Sequence, residues 1–285
     1  MAYFLESAWV GAMNEDTESL GIDLLLEGIH RHYGYDFRSY ARGSLTRRVR
    51  HRAREEGVQT ATALLDLVLH DPSVMQRLLY DLSINVTSMF RDPAFYRVFR
   101  ERAVPMLKTY PFVRIWNAGC STGEETFSLA ILLAEVGLLD KTRIYATDMN
   151  DAVLERAAAG TFPLEKMREY TGNYIEAGGT RSFSEYYSTG FGGARFNRDL
   201  SENVVFAQHN LVSDRSFNEF HAIVCRNVMI YFDKQLQDAV HDLFHASLVM
   251  FGVLGLGSHE SLHGTSHADD YEELESTARL YRRIG

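Results

Sequence analysis

A chain of 285 residues with 46% hydrophobic and 24% charged positions has the makeup of one large folded domain or two smaller ones, which excludes a disordered, fibrous or disulfide-framework polypeptide. Two cysteines, Cys120 and Cys225, are too few for a secreted staple or a cysteine zinc site, and no apolar run reaches the roughly 18 residues of a spanning helix. The net charge of −9 hides a reversal: residues 38–54 carry seven arginines and no acid, leaving −16 for the rest. A reducing, cytoplasmic setting and a chain not inserted in the membrane are therefore expected.

From residue 19 to 80 the pattern is helical: LGIDLLLEGIHRHYG, then SLTRRVRHRAREEG, then ATALLDLVLHD and VMQRLLYDL. In the second of these, Ser44 is the expected N-cap, and Leu45, Val49 and Ala53 recur every fourth residue. Arg47, Arg50, Arg54 and His51 fall on the opposite face. A run so free of acids gains nothing from internal pairing and repels itself, which favours a surface for nucleic acid, an anionic membrane or an acidic protein partner over a merely solvated face. A further helix, AFYRVFRERAVPML, is expected after Asp92-Pro93.

Beyond Pro111 strands and helices alternate. VRIWNA, TRIYATD, VVFAQ, FHAIVCRNV and LVMFGVLGLG read as strands; EETFSLAILLAEVG, NDAVLERAAAG and KQLQDAVHDLFHASL read as helices. This predicts a doubly wound parallel sheet with its ligand crevice at the strand C-termini. Residues 171–203, rich in glycine pairs, tyrosine and phenylalanine, interrupt the alternation as an insertion, expected as a small antiparallel subdomain. The whole is an α/β chain with an N-terminal helical domain at 14–82 and a second domain at 83–285.

The first strand leads into Gly119-Cys120-Ser121-Thr122-Gly123 and then Glu124-Glu125. Glycines allow a sharp turn and a close ligand, but acids where a diphosphate would sit argue for a ligand without phosphate. Glu125 suits a cationic amino group, and Asp148, at the end of the second strand, suits a ribose. Adenosine with an amino-acid end and no phosphate is S-adenosylmethionine. The turn also matches the G-x-S-x-G elbow of α/β-hydrolases, with Asp148 or Asp233 and His259 as partners for Ser121. One preceding strand rather than several, and two acids where an oxyanion would form, disfavour it. His241 and His245 have the i, i+4 spacing of a zinc helix, with His259, His263 and His267 nearby in sequence, but no acid or cysteine completes an obvious set; no metal is expected.

Several segments together resemble the CheR-type chemotaxis receptor methyltransferases: YGYDFRSYARGSLTRRVRHRARE, INVTSMFRDPAFYRVF, VRIWNAGCSTGEETFSLA, IYATDMNDAVLERAAAG, VVFAQHNLV and IVCRNVMIYFDKQLQ. The resemblance implies a helical domain followed by a class I S-adenosylmethionine-dependent methyltransferase domain with an inserted β-subdomain. It implies a cofactor site of Asn85, Thr87, Arg91, Glu125, Asp148, Asn210, Leu211, Arg226 and Asn227, with Arg91 and Tyr231 beside the transferring methyl. The activity implied is methyl transfer to glutamate carboxylates of a chemoreceptor, with S-adenosylhomocysteine as product and no metal. Arg47, Arg50 and Arg54 would dock the receptor's cytoplasmic helical region. The chain departs from the family pattern at Thr126, where proline is usual, at Met89-Phe90, where two bulky aromatics are usual, and at Met250-Phe251-Gly252, where Pro-Gly-Gly is usual. A non-catalytic adapter that binds the cofactor or a receptor is the competing class. A nucleic-acid methyltransferase fits worse, because CRNVMIYF is not the motif of base amino methylation and the chain is acidic.

Overall fold

A computed structural model describes residues 2–83, 87–190 and 192–285, with side chains from residue 16 onward. Two compact units emerge: Met1–Ile84 with Tyr231–Leu236, and Asn85–Ile230 with Gln237–Gly285. Among the described residues, no helix is long and apolar enough to cross a membrane.

The first unit is helical: α1 (Ala2–Tyr33), α2 (Arg42–Glu55), α3 (Ala61–His70) and α4 (Pro72–Leu82). Ile22, Leu25, Leu26 and Ile29 of α1 are buried at helical spacing, as are Leu45, Val49 and Ala53 of α2 and Leu64 and Val68 of α3. Each leucine so buried contributes roughly 1.5–3 kcal/mol before its entropy cost. The cap of α2 differs from expectation. It begins at Arg42 after Ala41, with no side-chain cap, and Ser44 instead accepts from Arg48 Nε at 3.2 Å. Thr60 and Asp71 do cap α3 and α4, accepting from the amides of Ala63 and Ser73. The segment Tyr231–Leu236 joins this unit by backbone pairing: Tyr231 accepts from the Ala41 amide at 2.7 Å, and Asp233 donates to Ser39 at 2.8 Å.

The second unit opens with α5 (Pro93–Val98), a π-helical turn (Phe99–Ala103) and α6 (Val104–Leu107). The π turn lies where Pro105 cannot donate to the preceding turn. There follow β1 (Val113–Ala118), α7 (Glu124–Glu135), β2 (Thr142–Asp148), α8 (Asp151–Ala159), β3 (Thr161–Phe162), α9 (Met167–Glu176), β4 (Tyr187–Gly190), β5 (Gly193–Phe196), β6 (Val204–Gln208), β7 (Phe220–Cys225), α10 (Lys234–Ser247), β8 (Leu248–Leu256), β9 (Tyr271–Glu275) and β10 (Leu280–Arg283). The main sheet has the order β6-β2-β1-β7-β8-β10-β9. Its first five strands are parallel, and β10 runs antiparallel to both β8 and β9.

The doubly wound class expected from the alternation is the one observed. The strand order reverses between β1 and β7, which puts the crevice beyond their C-terminal ends. β3, β5 and β4 form the small antiparallel sheet. It takes in Thr161–Phe162, ahead of the stretch read as the insertion, and α9 straddles that stretch's start. Helix α7 is buried almost all round, with Phe127 packed edge-on against Phe162 at 5.4 Å and tilted against Phe196 at 5.5 Å. It is therefore held between the two sheets, with its N-terminus at the crevice.

Candidate functional site

The glycine turn after β1 sets the site's first wall. Gly119 and Cys120 donate to Thr147 at 2.8 and 2.9 Å, tying the turn to the end of β2. Gly119 has φ +72, and a Cβ there would lie 2.5 Å from a methyl of Val228; Gly123, at φ +95, would meet Ala157 at 2.9 Å. Ser121 adopts φ 50, and its amide donates to Asp148 Oδ2 at 3.0 Å. Asp148 Oδ1 accepts from the Asn150 amide at 3.1 Å, and burial pushes this carboxyl above the usual aspartate range. The backbone amides of Asn150, Ser121 and Met149 fix the carboxylate, and its remaining lone-pair capacity is open to a hydroxyl group.

Glu125 and Arg226 are partners of one another. Arg226 Nη1 donates to Glu125 Oε2 at 2.9 Å and to the Arg91 carbonyl at 3.1 Å, while Nη2 donates to Asp92 Oδ2 at 2.7 Å. Its guanidinium carbon also lies 4.2 Å from the Phe95 ring centre. Burial works against this cation, but Glu125 and Asp92 outweigh it and raise its pKa. Arg226 thus fixes the acids and the 91–92 loop rather than reaching outward. Sequence reasoning missed Asn117, which donates to Glu125 Oε1 at 2.9 Å and accepts from Thr126 Oγ1 at 2.6 Å. Both are fully buried. The departure at Thr126 therefore adds a hydrogen bond that orients Glu125 through Asn117. Glu124 turns the other way, accepting from Thr122 at 2.6 Å and Tyr170 at 3.3 Å.

Strain gathers here. Phe90 (φ 50), Asp92 (φ 56), Ser121 (φ 50) and Asn227 (φ 61) are four non-glycine residues in the left-handed region, all within the segments read as the site. Arg91 sits between the first two. Ser128, also missed, braces that loop by accepting from the Phe90 amide at 2.9 Å while donating to Glu124 at 2.7 Å.

Asn210 and Leu211 follow β6, half-buried; Asn210 Oδ1 accepts from the Val212 amide at 3.0 Å, closing a turn. Thr87 is half-buried, and Asn85 lies outside the described residues. Within the second unit, the structure brings Arg91, Glu125 and Arg226 into one network and joins the turn to Asp148. Tyr231 falls in the helical unit, its ring 5.7 Å from the Arg48 guanidinium carbon.

The arginine run is largely paired, contrary to the expectation of self-repulsion. Arg38 binds Asp36 and Glu27, Arg42 binds Asp23, Arg52 binds Asp81 and Glu56, and Arg50 binds Glu18 through two contacts of 2.5 and 2.6 Å. Arg47, His51 and Arg54 remain exposed at i, i+4 and i+7 of α2. Arg50 and Arg54 line a groove of about 870 Å³ with Glu18, Ile22, Val49 and Ala53.

His259, the base of the hydrolase reading, is exposed, and Asp148 is engaged with backbone amides. The zinc-like spacing of His241 and His245 is not what gathers ligands. His245 stacks on His267 at 3.9 Å, and their nitrogens lie within 4.8 Å of an Asp270 oxygen. Both His267 nitrogens already face carboxylates, of Asp270 at 2.8 Å and Asp242 at 3.0 Å. Rings stacked in parallel point their nitrogens side by side rather than at one centre.

Against known proteins, residues 85–280 match the CheR methyltransferase SAM binding domain and residues 21–83 the CheR methyltransferase all-alpha domain. The Pseudomonas putida protein Cher3, which carries a provisional methyltransferase name, is 46% identical over 95% of this chain and 99% of its own. The chemotaxis protein methyltransferase 2 of Pseudomonas aeruginosa is 34% identical over 69% of this chain and 70% of its own. The chemotaxis protein methyltransferase of Escherichia coli is 30% identical over 70% and 66%. Solved structures are more distant: PKMT2 of Rickettsia typhi in complex with AdoHcy aligns at 14% identity and TM-score 0.31, over 51% of this chain and 21% of that one.

Proposed function

We propose that this chain, which belongs to the CheR methyltransferase family, methylates glutamate side chains on the cytoplasmic helical region of a chemoreceptor-type protein. S-adenosylmethionine, when bound, supplies an electrophilic methyl on a sulfonium, and S-adenosylhomocysteine is the product. The names of the relatives from Pseudomonas aeruginosa and Escherichia coli support chemotaxis as the setting.

The observation that carries the reading is the set of hydrogen-bond acceptors at the crevice. A buried carboxylate, Asp148, stands at the end of β2, fixed by three backbone amides with acceptor capacity left for a hydroxyl, and Glu125 is oriented by Asn117 and Arg226. Such a set suits ribose hydroxyls and a cationic amino group and would repel a diphosphate. Asp148 is proposed to hold the ribose, Glu125 the amino-acid end, and Asn210 with Leu211 the adenine. Arg226 would act by holding Glu125, and Asn85, Thr87 and Asn227 would line the same ligand.

The acceptor needs little activation. A glutamate is ionised near neutral pH, so no general base is required. Positioning of carboxylate and methyl in line can contribute about 7–11 kcal/mol. Arg91, held between two strained residues, is proposed to orient the incoming carboxylate through paired donors. Tyr231 is proposed to orient donor or acceptor by its hydroxyl. Arg47 and Arg54, with Arg50 in the adjoining groove, would meet an acidic helical substrate, raising encounter rate more than affinity.

The test is calorimetric titration of the protein and of Asp148→Ala with S-adenosylhomocysteine, followed by an assay for base-labile methyl esters on receptor helices. Binding lost in the variant, and ester formation abolished when acceptor glutamates are glutamines, are expected. Binding without transfer to any receptor would leave an adapter and overturn the catalytic reading.

A further inference from the structure

One side chain that sequence reasoning passed over pins the loops after β7 and β8 to each other. Glu260 is 5% exposed, and its carboxylate accepts four backbone N–H groups. Oε2 accepts from Gly257 at 2.7 Å and Asn227 at 2.9 Å; Oε1 accepts from Val228 and Met229, each at 2.8 Å. Four donors fill the capacity of one carboxylate, and each bond is strengthened by its charge.

The loop needs such an acceptor. Three successive amides, of residues 227–229, point at one spot at the start of the 3-10 turn Met229–Tyr231, which offers them no acceptor of its own, and Asn227 starts the segment at φ 61. The two loops also touch backbone to backbone: a Cβ on Gly257 would stand 2.7 Å from the Asn227 nitrogen. β7 and β8 are neighbours whose parallel pairing ends at Cys225 and Leu256. Glu260 continues that pairing past the sheet, at the strand ends where the crevice lies. The segment it holds begins next to Arg226, whose side chain carries Glu125 and the Arg91 loop.

We propose that Glu260 is a positioning residue for the cofactor: by accepting the four amides it sets the path of residues 226–229, and through Arg226 and Asn227 it sets cofactor affinity. This deepens the function proposed above and rests on it. Acceptor chemistry, not side-chain size, is the working property. Glutamine has nearly the same shape but turns an NH₂ toward two of the four donors; aspartate is one methylene shorter but keeps both oxygens.

The experiment titrates S-adenosylhomocysteine into the wild-type protein, Glu260→Gln, Glu260→Asp and Gly257→Ala, with hydrogen exchange followed at the amides of residues 227–229. Glu260→Gln is expected to fold, to lose protection at these amides, and to bind about tenfold more weakly. Glu260→Asp should recover part of that affinity, and Gly257→Ala should weaken binding with Glu260 intact. In transfer assays the KM for the methyl donor should rise more than kcat falls. A folded Glu260→Gln protein with wild-type affinity overturns the proposal, as does equal impairment by Gln and Asp. Failure of the wild-type protein to bind would overturn the cofactor reading beneath it, which is a different result from a variant that binds normally.

Discussion

Arg226 and Glu125, 101 positions apart in the chain, meet at 2.9 Å, and with Asp92 at 2.7 Å the contact keeps a cation with only 2% of its side chain exposed in the charged state. Such a pair is a poor source of net stability but a costly one to break. Arg226→Met should destabilise the protein by about 3 kcal/mol, because Glu125, with 13% of its side chain exposed, is left beside no cation. Pairing it with Glu125→Gln should restore part of the loss, read as a coupling energy in a denaturation double-mutant cycle. Arg226→Lys should not rescue fully, since an ammonium cannot span both acids and stack on Phe95.

Asp148 shows stability and binding pulling in opposite directions. Burial raises its pKa in the fold above 3.8. The folded state therefore binds the proton more tightly, and stability falls as pH rises from that value through the folded pKa. Asp148→Asn should thus leave the melting temperature near neutral pH unchanged or higher, while S-adenosylhomocysteine binding weakens about tenfold or more. A variant that melts lower and binds normally would contradict both halves.

Glu135 has the opposite sign. Burial pushes its pKa up, but the Tyr174 hydroxyl at 2.5 Å, the Thr180 amide at 2.8 Å and Arg100 together hold it below the usual glutamate range. Its stabilisation is full above the unfolded value of 4.5 and is lost as pH falls through the folded one. Glu135→Ala should cost about 3 kcal/mol, leaving Arg100 and the Tyr174 and Tyr186 hydroxyls without their acceptor, and should speed proteolytic cleavage within residues 171–203. Urea unfolding and timed proteolysis read the two effects.

Docking through α2 should depend on Arg47 and Arg54 more than on Arg50, which already holds Glu18. Arg47→Ala with Arg54→Ala should lower kcat/KM on a helical receptor substrate by roughly tenfold at low salt, with the gap closing as salt rises. Affinity for S-adenosylhomocysteine should not change. Equal rates for the double variant and the wild type at low salt would remove the docking role.

The parts legible in the sequence are those whose signal is local. The alternation from β1 onward and the Asp148 position follow from runs of apolar residues and a strand-end acid. β9 and β10 do not stand out in the sequence, because the edge strand YEELE and its neighbour LYRR carry charges that mask the period-two pattern. The start of α2 was misplaced because Ser44 looked like a cap while the backbone of Ala41 does that work. Pairing of the arginine run was invisible because its acids arrive from elsewhere in the chain: Glu18, Asp23 and Glu27 from α1, Asp81 from α4. Asn117, Ser128 and Glu260 share that cause. Each is an ordinary polar residue until the fold supplies its partners, and only the strained loops they brace carry any prior mark of a site.

The short segment Tyr231–Leu236 gives the chain a form of shared ownership. It is encoded within the sheet unit yet completes the helical one, through the bonds from Ala41 to Tyr231 and from Asp233 to Ser39. A helical unit exchanged alone between two relatives would arrive with that backbone edge open, unless the recipient's own segment matched it. Recombination at the single junction near residue 84 therefore inherits only part of a folding unit. A change in Tyr231–Leu236 and a change at residues 39–41 are thus constrained by one another, although nearly two hundred positions separate them in the chain.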